Sequence, residues 1–325
     1  MPILNSLSAR DFPGIHMIDS GARTCGGVKN LGTGLLHPFC RCFIYGLLLA
    51  SLSLISVVSW ADSEVEKSYA LGVFPHLPPR ELEKVYAPIA AALGKALGRR
   101  VEFRSNSTYE RFMENLDQES YDIIFTQPFD YIKAADQYGY IPLATRDEPL
   151  SALVVVQQGS QIKSLKDLRG KRVAMPPSVA AVSYLFKAFL EKNHLKPGKD
   201  VTLSYHRSHV SCLQQVIIGS ADACATAAPA YRYFSHKMNV KLNTIAQTPS
   251  IPHTLFAVHP RITAEERKKL LAVILSWKST EEGQILLKRG KLTPFIEVKD
   301  SDYDIVRELS RHMKKAQVSH LKHAK

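Results

Sequence analysis

The sequence lacks the short motifs that mark several common enzyme classes. It contains no glycine-rich phosphate loop of the Walker type, no residue spacing typical of zinc sites and no G-x-S-x-G nucleophile elbow. We therefore predict neither catalysis nor a cofactor. One enzymatic alternative stays open, a Cys-His hydrolase built on His209 and Cys212. His206 and His209 form a candidate metal pair, but the ligands that would complete a site are missing, so no metal is predicted.

Negative charge is also in deficit. The chain of 325 residues has 42 lysines and arginines against 30 aspartates and glutamates, a formal net charge of +12. Such a balance attracts anions, whether nucleic acid, acidic membrane or a small ligand. From Glu64 onward the basic residues are scattered among acidic and amide residues, which argues against nucleic acid as a partner. A hydrophobic content of 45% excludes disordered and fibrous proteins.

Long hydrophobic runs are scarce, and the clearest lies near the start of the chain. It extends from Cys42 to Val58 without a charge and is followed by Ser59, Trp60 and Ala61. The small residues Ser59 and Ala61, at positions −3 and −1 relative to a cut after Ala61, predict a secretory signal peptide, so that 1–61 is removed and the protein is periplasmic. The alternative is a retained membrane anchor, because the run approaches the length of a bilayer span.

Cysteine is rare beyond that run. Cys25, Cys40 and Cys42 fall within the predicted leader, which leaves Cys212 and Cys224. An even pair in an oxidising compartment favours one disulfide, with two buried free thiols as the alternative. A disulfide would also remove the nucleophile of the hydrolase hypothesis.

Beyond the leader, short apolar runs alternate with helical patterns, which is typical of parallel sheets covered by helices. The predicted strands are Tyr69–Phe74, Val101–Arg104, Tyr121–Phe125, Ile141–Ala144, Ala152–Gln157, Arg172–Met175, Val201–Tyr205, Ala221–Thr226 and Thr254–Val258. The predicted helices are Glu81–Leu97, Thr108–Leu116, Ala180–Asn193, Ser211–Ile218, Thr263–Trp277, Glu281–Arg289 and Tyr303–His312.

This α/β plan occurs twice, so we predict two lobes, each a mostly parallel sheet flanked by helices, with a cleft at the hinge. Lobe 1 comprises 62–155 and a return segment, 249–313, and lobe 2 comprises 156–248. A basic tail, 314–325, follows. Two lobes linked by two crossings form a hinge that closes around a ligand.

Four stretches together resemble a known family. They are Tyr109-Glu110, YDIIFTQPFDYIKAAD at 121–136, SLKDLRGKRVAMPPS at 164–178, and SHVSCLQQVIIGSADAC at 208–224. Their order and spacing are similar to those of the periplasmic phosphate, phosphite and phosphonate binding proteins of ABC importers, which have the type II periplasmic binding fold. The resemblance implies a protein that captures a small anionic solute and delivers it to an inner-membrane ABC permease. An exported sensor acting on a membrane histidine kinase is the alternative, and a monomer is expected.

The resemblance also indicates ligand-binding residues at strand and helix ends that face the cleft. They are Tyr109, Gln127, Tyr131, Ser178, His209 and Ser211. Two departures bear on the ligand. The helix after the RVAM strand begins with few hydroxyl residues, Ser178 and Ser183, and the segment ACATAAPA at 223–230 lacks the carboxylate that an amino group would need. An aminoalkyl phosphonate is therefore disfavoured.

Overall fold

The computed structural model describes residues 68–312, so the predicted signal peptide and basic tail lie outside the described residues. The strands are β1 (Tyr69–Val73), β2 (Val101–Arg104), β3 (Ile123–Thr126), β4 (Ile141–Arg146), β5 (Ala152–Gln157), β6 (Arg172–Met175), β7 (Thr202–Tyr205), β8 (Ala223–Ala227), β9 (Leu242–Gln247), β10 (Leu255–Val258) and β11 (Phe295–Glu297).

The helices cover both sheets and alternate with the strands along the chain. They are α1 (Pro79–Leu97), α2 (Tyr109–Asp117), α3 (Pro128–Tyr138), α4 (Ala181–Lys192), α5 (His209–Ile217), α6 (Ala228–Met238), α7 (Ala264–Ser276) and α8 (Glu281–Gly290), with 3₁₀ turns at Leu165–Leu168 and Asp300–Tyr303. A further helical segment begins at residue 304 and continues to the end of the described residues.

The strands form two sheets, which confirms the predicted two-lobed α/β architecture. The first has the order β11-β4-β10-β3-β1-β2, and the second has the order β7-β6-β8-β5-β9. In the first sheet β10 runs antiparallel to β3 and β4, and in the second β5 runs antiparallel to β8 and β9. The first sheet thus has four strands in one direction and two reversed strands, β10 and β11, whereas the second has four in one direction and one reversed strand, β5. β5 and β10 are the strands that enter from the other lobe.

The two crossings between the sheets lie at 147–151 and 248–254, where the chain leaves β4 for β5 and β9 for β10. The expected boundary between 155 and 156 falls inside β5, all of whose pairing is within the second sheet. The crossings touch at a β-bridge between Leu150 and Ile251. This bridge joins the two strands of the hinge side by side.

Helix α1 shows how sequence pattern becomes packing in the first lobe. Leu82, Val85, Tyr86, Ile89 and Leu93 recur at helical spacing and are all buried against the first sheet. The helix ends at Gly98, whose left-handed conformation with φ of 68° suits glycine at a C-terminal cap. Within residues 68–312, no helix combines the length and apolar character required to cross a membrane.

The second lobe contains the predicted disulfide, which the structure confirms. Cys212 in α5 and Cys224 in β8 are bonded, with their Cα atoms 6.0 Å apart. Both are buried in a cluster with Leu213 and Val216. The bond ties α5 to the central strand of the sheet, and neither sulfur is a free thiol of the kind that a Cys-His hydrolase would use.

Candidate functional site

A cleft of about 610 Å³ lies between the lobes. Its walls are formed where strands end and helices begin, including the end of β1, the start of α4, the loop before α5 and the end of β8. In open α/β sheets ligands bind in the crevice outside the carboxyl ends of the strands, which is where this cleft lies. Residues of both lobes contribute, so the cleft is the candidate functional site.

Positive charge dominates the charged residues that line the cleft. Four cationic side chains and one carboxylate line it: Arg146, Arg207, Arg289, Lys291 and Glu81. Glu81 is exposed and pairs with Lys84 at 2.8 Å. The lining therefore complements an anion.

Arg146 is the least exposed of these cations. Its side chain is 12% exposed, its Nε donates to the hydroxyl of Thr293 at 3.1 Å, and Glu148 lies 3.7 Å away. Burial lowers the pKa of Arg146 from its ordinary value, while Glu148 opposes that shift. The first crossing begins directly after Arg146, and the second ends at Thr254, whose carbonyl accepts from the Arg146 backbone N–H at 3.2 Å. A partly compensated positive charge therefore lines the cleft beside the hinge.

His209, at the first turn of α5, presents a neutral ring to the cleft. Its Nδ1 lies 3.0 Å from the hydroxyl of Thr226 and accepts a hydrogen bond from the backbone N–H of Ala227 at 3.4 Å. Since Nδ1 accepts, Nε2 carries the proton in the neutral ring. Burial lowers the pKa of His209 to about 4. The ring therefore offers an N–H donor without a positive charge at neutral pH.

Two further histidines line the lobe 1 side of the cleft. His253 Nδ1 accepts from the backbone N–H of Thr254 at 2.7 Å, and burial together with the charge of Arg146 lowers its pKa to about 3. His76 stacks on Phe74 and donates from Nδ1 to that residue's carbonyl at 3.0 Å. Burial lowers the pKa of His76 to about 4. All three cleft histidines are neutral near pH 7.

The structure brings three of the six predicted site residues together in the cleft: Tyr109, Gln127 and His209. The Tyr109 hydroxyl donates to Asp130, a buried carboxylate on α3 that also accepts from Thr126. Burial raises the pKa of Asp130 to about 6. Tyr109 therefore presents its ring to the cleft, while its hydroxyl proton is held by Asp130.

The other three predicted site residues do not line the cleft. Tyr131 is buried in the first lobe, where its hydroxyl donates to Asp300 at 2.6 Å and its ring packs on Tyr303. Ser178 is exposed in the turn before α4 and does not line the cleft. Ser211 forms a capping box with Ser208 at the start of α5, and Ser208 is the serine that reaches the cleft.

Sequence reasoning missed most of the cationic and imidazole lining. The missed residues come from a loop, a strand end, a chain crossing and the end of α8, which are distant from one another along the chain: His76, Arg146, His253, Arg289 and Lys291. Of these, His76 carried a usable signal, because it follows the end of the first strand in a proline-rich loop. Among residues 68–312 no group of three or more potential metal ligands occurs, and the pair His206 and His209 has no third member.

Comparison with known proteins finds consistent relatives. A family model described as ABC transporter, phosphonate, periplasmic substrate-binding protein matches residues 71–303. The phosphate-import protein PhnD of Mycolicibacterium smegmatis is 24% identical over 278 residues, covering 75% of this chain and 85% of the relative.

Two solved structures illustrate the fold similarity. PhnD1 from Prochlorococcus marinus, in complex with methylphosphonate, has a TM-score of 0.65 and 19% identity over 77% of this chain and 99% of its own. XAC2383 from Xanthomonas citri, bound to ATP, has a TM-score of 0.63 and 17% identity over 77% of this chain and 98% of its own. At these identities the similarity shows a shared fold.

Proposed function

Because this chain belongs to the family of periplasmic substrate-binding proteins of phosphonate ABC transporters, we propose that its cleft captures a phosphorus oxyanion for an inner-membrane permease. The family is a transport family rather than a family of enzymes. The observation that carries the proposal is the cleft lining, in which four cations face one exposed carboxylate. A small anion entering between the lobes meets complementary charge on both sides.

The head of the ligand is proposed to bind on the lobe 2 side, at the start of α5. His209 and Ser208 line the cleft there, with Arg207 directly before them. The neutral Nε2–H of His209 and the positive end of the helix both favour an oxyanion. Arg146, across the cleft, adds the long-range attraction of a charge that is only partly compensated by Glu148.

The cleft favours a phosphonate without an amino group. Among the residues that line the cleft, the carboxylate is Glu81, which is exposed and paired with Lys84. Asp130, the buried carboxylate nearby, accepts hydrogen bonds from Tyr109 and Thr126 and lies behind the Tyr109 ring. An ammonium group in the cleft would therefore gain little direct compensation, and methylphosphonate is the better probe.

Isothermal titration of the purified protein with methylphosphonate, phosphite, phosphate, aminoethylphosphonate and sulfate tests the proposal. We expect saturable binding of at least one phosphorus oxyanion, with aminoethylphosphonate weaker than methylphosphonate. A ligand present at a hundred times its Kd would stabilise the fold by about 2.7 kcal/mol, which a thermal unfolding curve detects independently. Absence of binding by all phosphorus oxyanions in both measurements would contradict the proposal.

The proposed setting is the periplasm, and the proposed working form is a monomer. Family membership supports the location, and the leader at 1–61 has the pattern of a signal peptide. A monomer leaves both lobes free to dock on a permease. Fractionation of expressing cells and light scattering of the purified protein test these two points.

A further inference from the structure

One buried side chain connects the two lobes directly. Gln127 precedes helix α3 in the first lobe, is 4% exposed, and extends across the cleft to the start of α4 in the second lobe. Its Nε2 donates to the carbonyl of Val179 at 2.7 Å, and its Oε1 accepts from the backbone N–H of Ala181 at 2.9 Å. Both ends of one amide are thus bonded to the backbone of the opposite lobe.

This pairing occupies the N-terminal amide that an anion would otherwise use. Ala181 is the first residue of α4, and its N–H is one of those left without an intrahelical partner at a helix start. Gln127 satisfies it with a neutral oxygen. Ser183, which could supply a hydroxyl there, donates instead to the carbonyl of Pro177 at 2.9 Å. The start of α4 is therefore engaged by the protein itself.

The position of Gln127 is supported from its own lobe. Tyr109 and Asp130, which flank it, are joined by a hydrogen bond, and Thr126 adds a second bond to Asp130. Tyr109 borders both the cleft and a second cavity of about 980 Å³ on the other side. Gln127 thus lies next to Tyr109, the residue that borders both cavities. A second contact between lobes, Phe129 against Tyr184 with ring centroids 4.9 Å apart, lies beside it.

We propose that Gln127 is a positioning residue that latches the lobes together through Val179 and Ala181, and so sets the balance between open and closed forms without contacting the ligand. The side-chain amide of Gln127 suits this role because it satisfies one donor and one acceptor of the facing backbone simultaneously. Opening the lobes breaks both bonds together. The proposal deepens the proposed function, since closure determines how tightly a captured anion is held.

The first test needs no ligand. Hydrogen exchange at the Ala181 amide and the radius of gyration from X-ray scattering are measured for the wild type and Gln127→Met, which keeps side-chain length but forms neither bond. We expect exchange at Ala181 to rise about tenfold, equivalent to about 1.4 kcal/mol, and the radius of gyration to increase. Gln137→Met, at an exposed position on α3, is the matched control and should change neither quantity.

A purely structural role would predict a different result, namely faster exchange throughout the sheets and a lower unfolding temperature. Hydrogen exchange of β3 and β6 amides distinguishes the latch from a purely structural role. Loss of a latch should speed exchange where the lobes meet and leave the amides of both sheets protected. Gln127→Ala serves as a second variant if Gln127→Met fails to fold. Unchanged exchange at Ala181 and an unchanged radius of gyration in a folded variant would overturn the proposal.

A second measurement connects the latch to binding. Titration with methylphosphonate should give a several-fold larger Kd for Gln127→Met than for the wild type, because part of the binding energy is used to close the lobes. If no phosphorus oxyanion binds the wild type, the proposed function fails. The exchange and scattering results still test whether Gln127 holds the lobes together. An equal Kd in an opened variant would overturn the coupling of the latch to binding.

Discussion

The imidazole of His209 is held against the end of β8 by Thr226, whose hydroxyl oxygen lies 3.0 Å from Nδ1. The adjacent backbone N–H of Ala227 donates to the same nitrogen at 3.4 Å. These contacts determine which nitrogen carries the proton and keep the ring at the cleft. They join the end of β8 to the start of α5 and direct the Nε2–H of His209 towards the cleft.

Replacing His209 with alanine should weaken methylphosphonate binding by at least tenfold. A hydrogen bond to a charged group contributes about 1.5 to 3 kcal/mol, and the variant loses that donor. Titration calorimetry measures the change. His206→Ala is the matched control, because that ring contacts Ser204 and does not line the cleft. Equal affinity of His209→Ala and the wild type would contradict the assigned role.

Arg146 and Arg289 should contribute differently although both line the cleft. Arg146 is 12% exposed and close to the hinge, whereas Arg289 is an exposed residue near the end of α8. Arg146→Met removes a cation that attracts the anion and should raise the Kd for methylphosphonate by tenfold or more. Because this charge is largely shielded from solvent, salt screens its attraction only weakly. Arg289→Met should act mainly on the association rate, and only at low ionic strength.

Stopped-flow binding at two salt concentrations separates these effects. The Arg146 variant should remain weak at both concentrations, and the Arg289 variant should approach wild-type behaviour at the higher one. A larger equilibrium effect from Arg289→Met than from Arg146→Met would contradict the ranking.

Most regular elements could be predicted from the sequence, and the exceptions have definable causes. Helices α3 and α6 were missed because Pro128 and Pro229 resemble loop residues. Both prolines occupy the first helical turn, where a missing N–H costs nothing and a fixed φ is favourable. Strand β9 was missed because its sequence, LNTIAQ, is polar at an exposed sheet edge, and β11 has only three residues.

The site was harder to predict than the fold. His209 could be placed because it begins a helix next to a buried strand end. Tyr131 could not, because its hydroxyl is directed by Asp300, which is 169 positions away in sequence. The same limit applies to Arg146 and His253, which meet through the return of the chain across the hinge. Residues that share a cleft through long-range packing leave no local pattern.

Buried His253 should make the protein less stable in mild acid. Burial and Arg146 lower its pKa from 6.5 to about 3, so the unfolded state takes up a proton over a range where the folded state does not. The contribution of the neutral His253 to the free energy of unfolding is fully present above about pH 6.5 and is lost as the pH falls towards about 3. The slope for one such group is about 1.4 kcal/mol per pH unit.

Urea unfolding of the wild type and His253→Gln at a series of pH values measures this contribution. Between about pH 6 and about pH 4, the slope of the free energy of unfolding against pH should be smaller in the variant by the amount that corresponds to about one proton. His76 and His209 act in the same direction, and Asp130, with its raised pKa, acts in the opposite direction. They are common to both proteins, so the difference isolates His253. Parallel pH profiles would show that His253 takes up its proton over the same pH range in the folded and unfolded states, which would contradict the prediction.

The disulfide between Cys212 and Cys224 should stabilise the second lobe and, through it, the ligand site. The bond closes a loop with a sequence separation of 12, for which the chain-entropy model gives about 3 kcal/mol. Cys224 is followed by Ala225 and then by Thr226, which contacts His209, so loosening β8 should also weaken methylphosphonate binding.

Replacing both cysteines with alanine tests both effects, because no unpaired thiol remains to form other bonds. We expect the free energy of unfolding in urea to fall by about 3 kcal/mol and the Kd to rise several-fold. Adding a reducing agent to the unfolded wild type should reproduce most of the loss in stability, while the double variant should not respond to the reagent. A double variant as stable as the oxidised wild type would show that α5 and β8 are held together by the packing of Leu213 and Val216 alone.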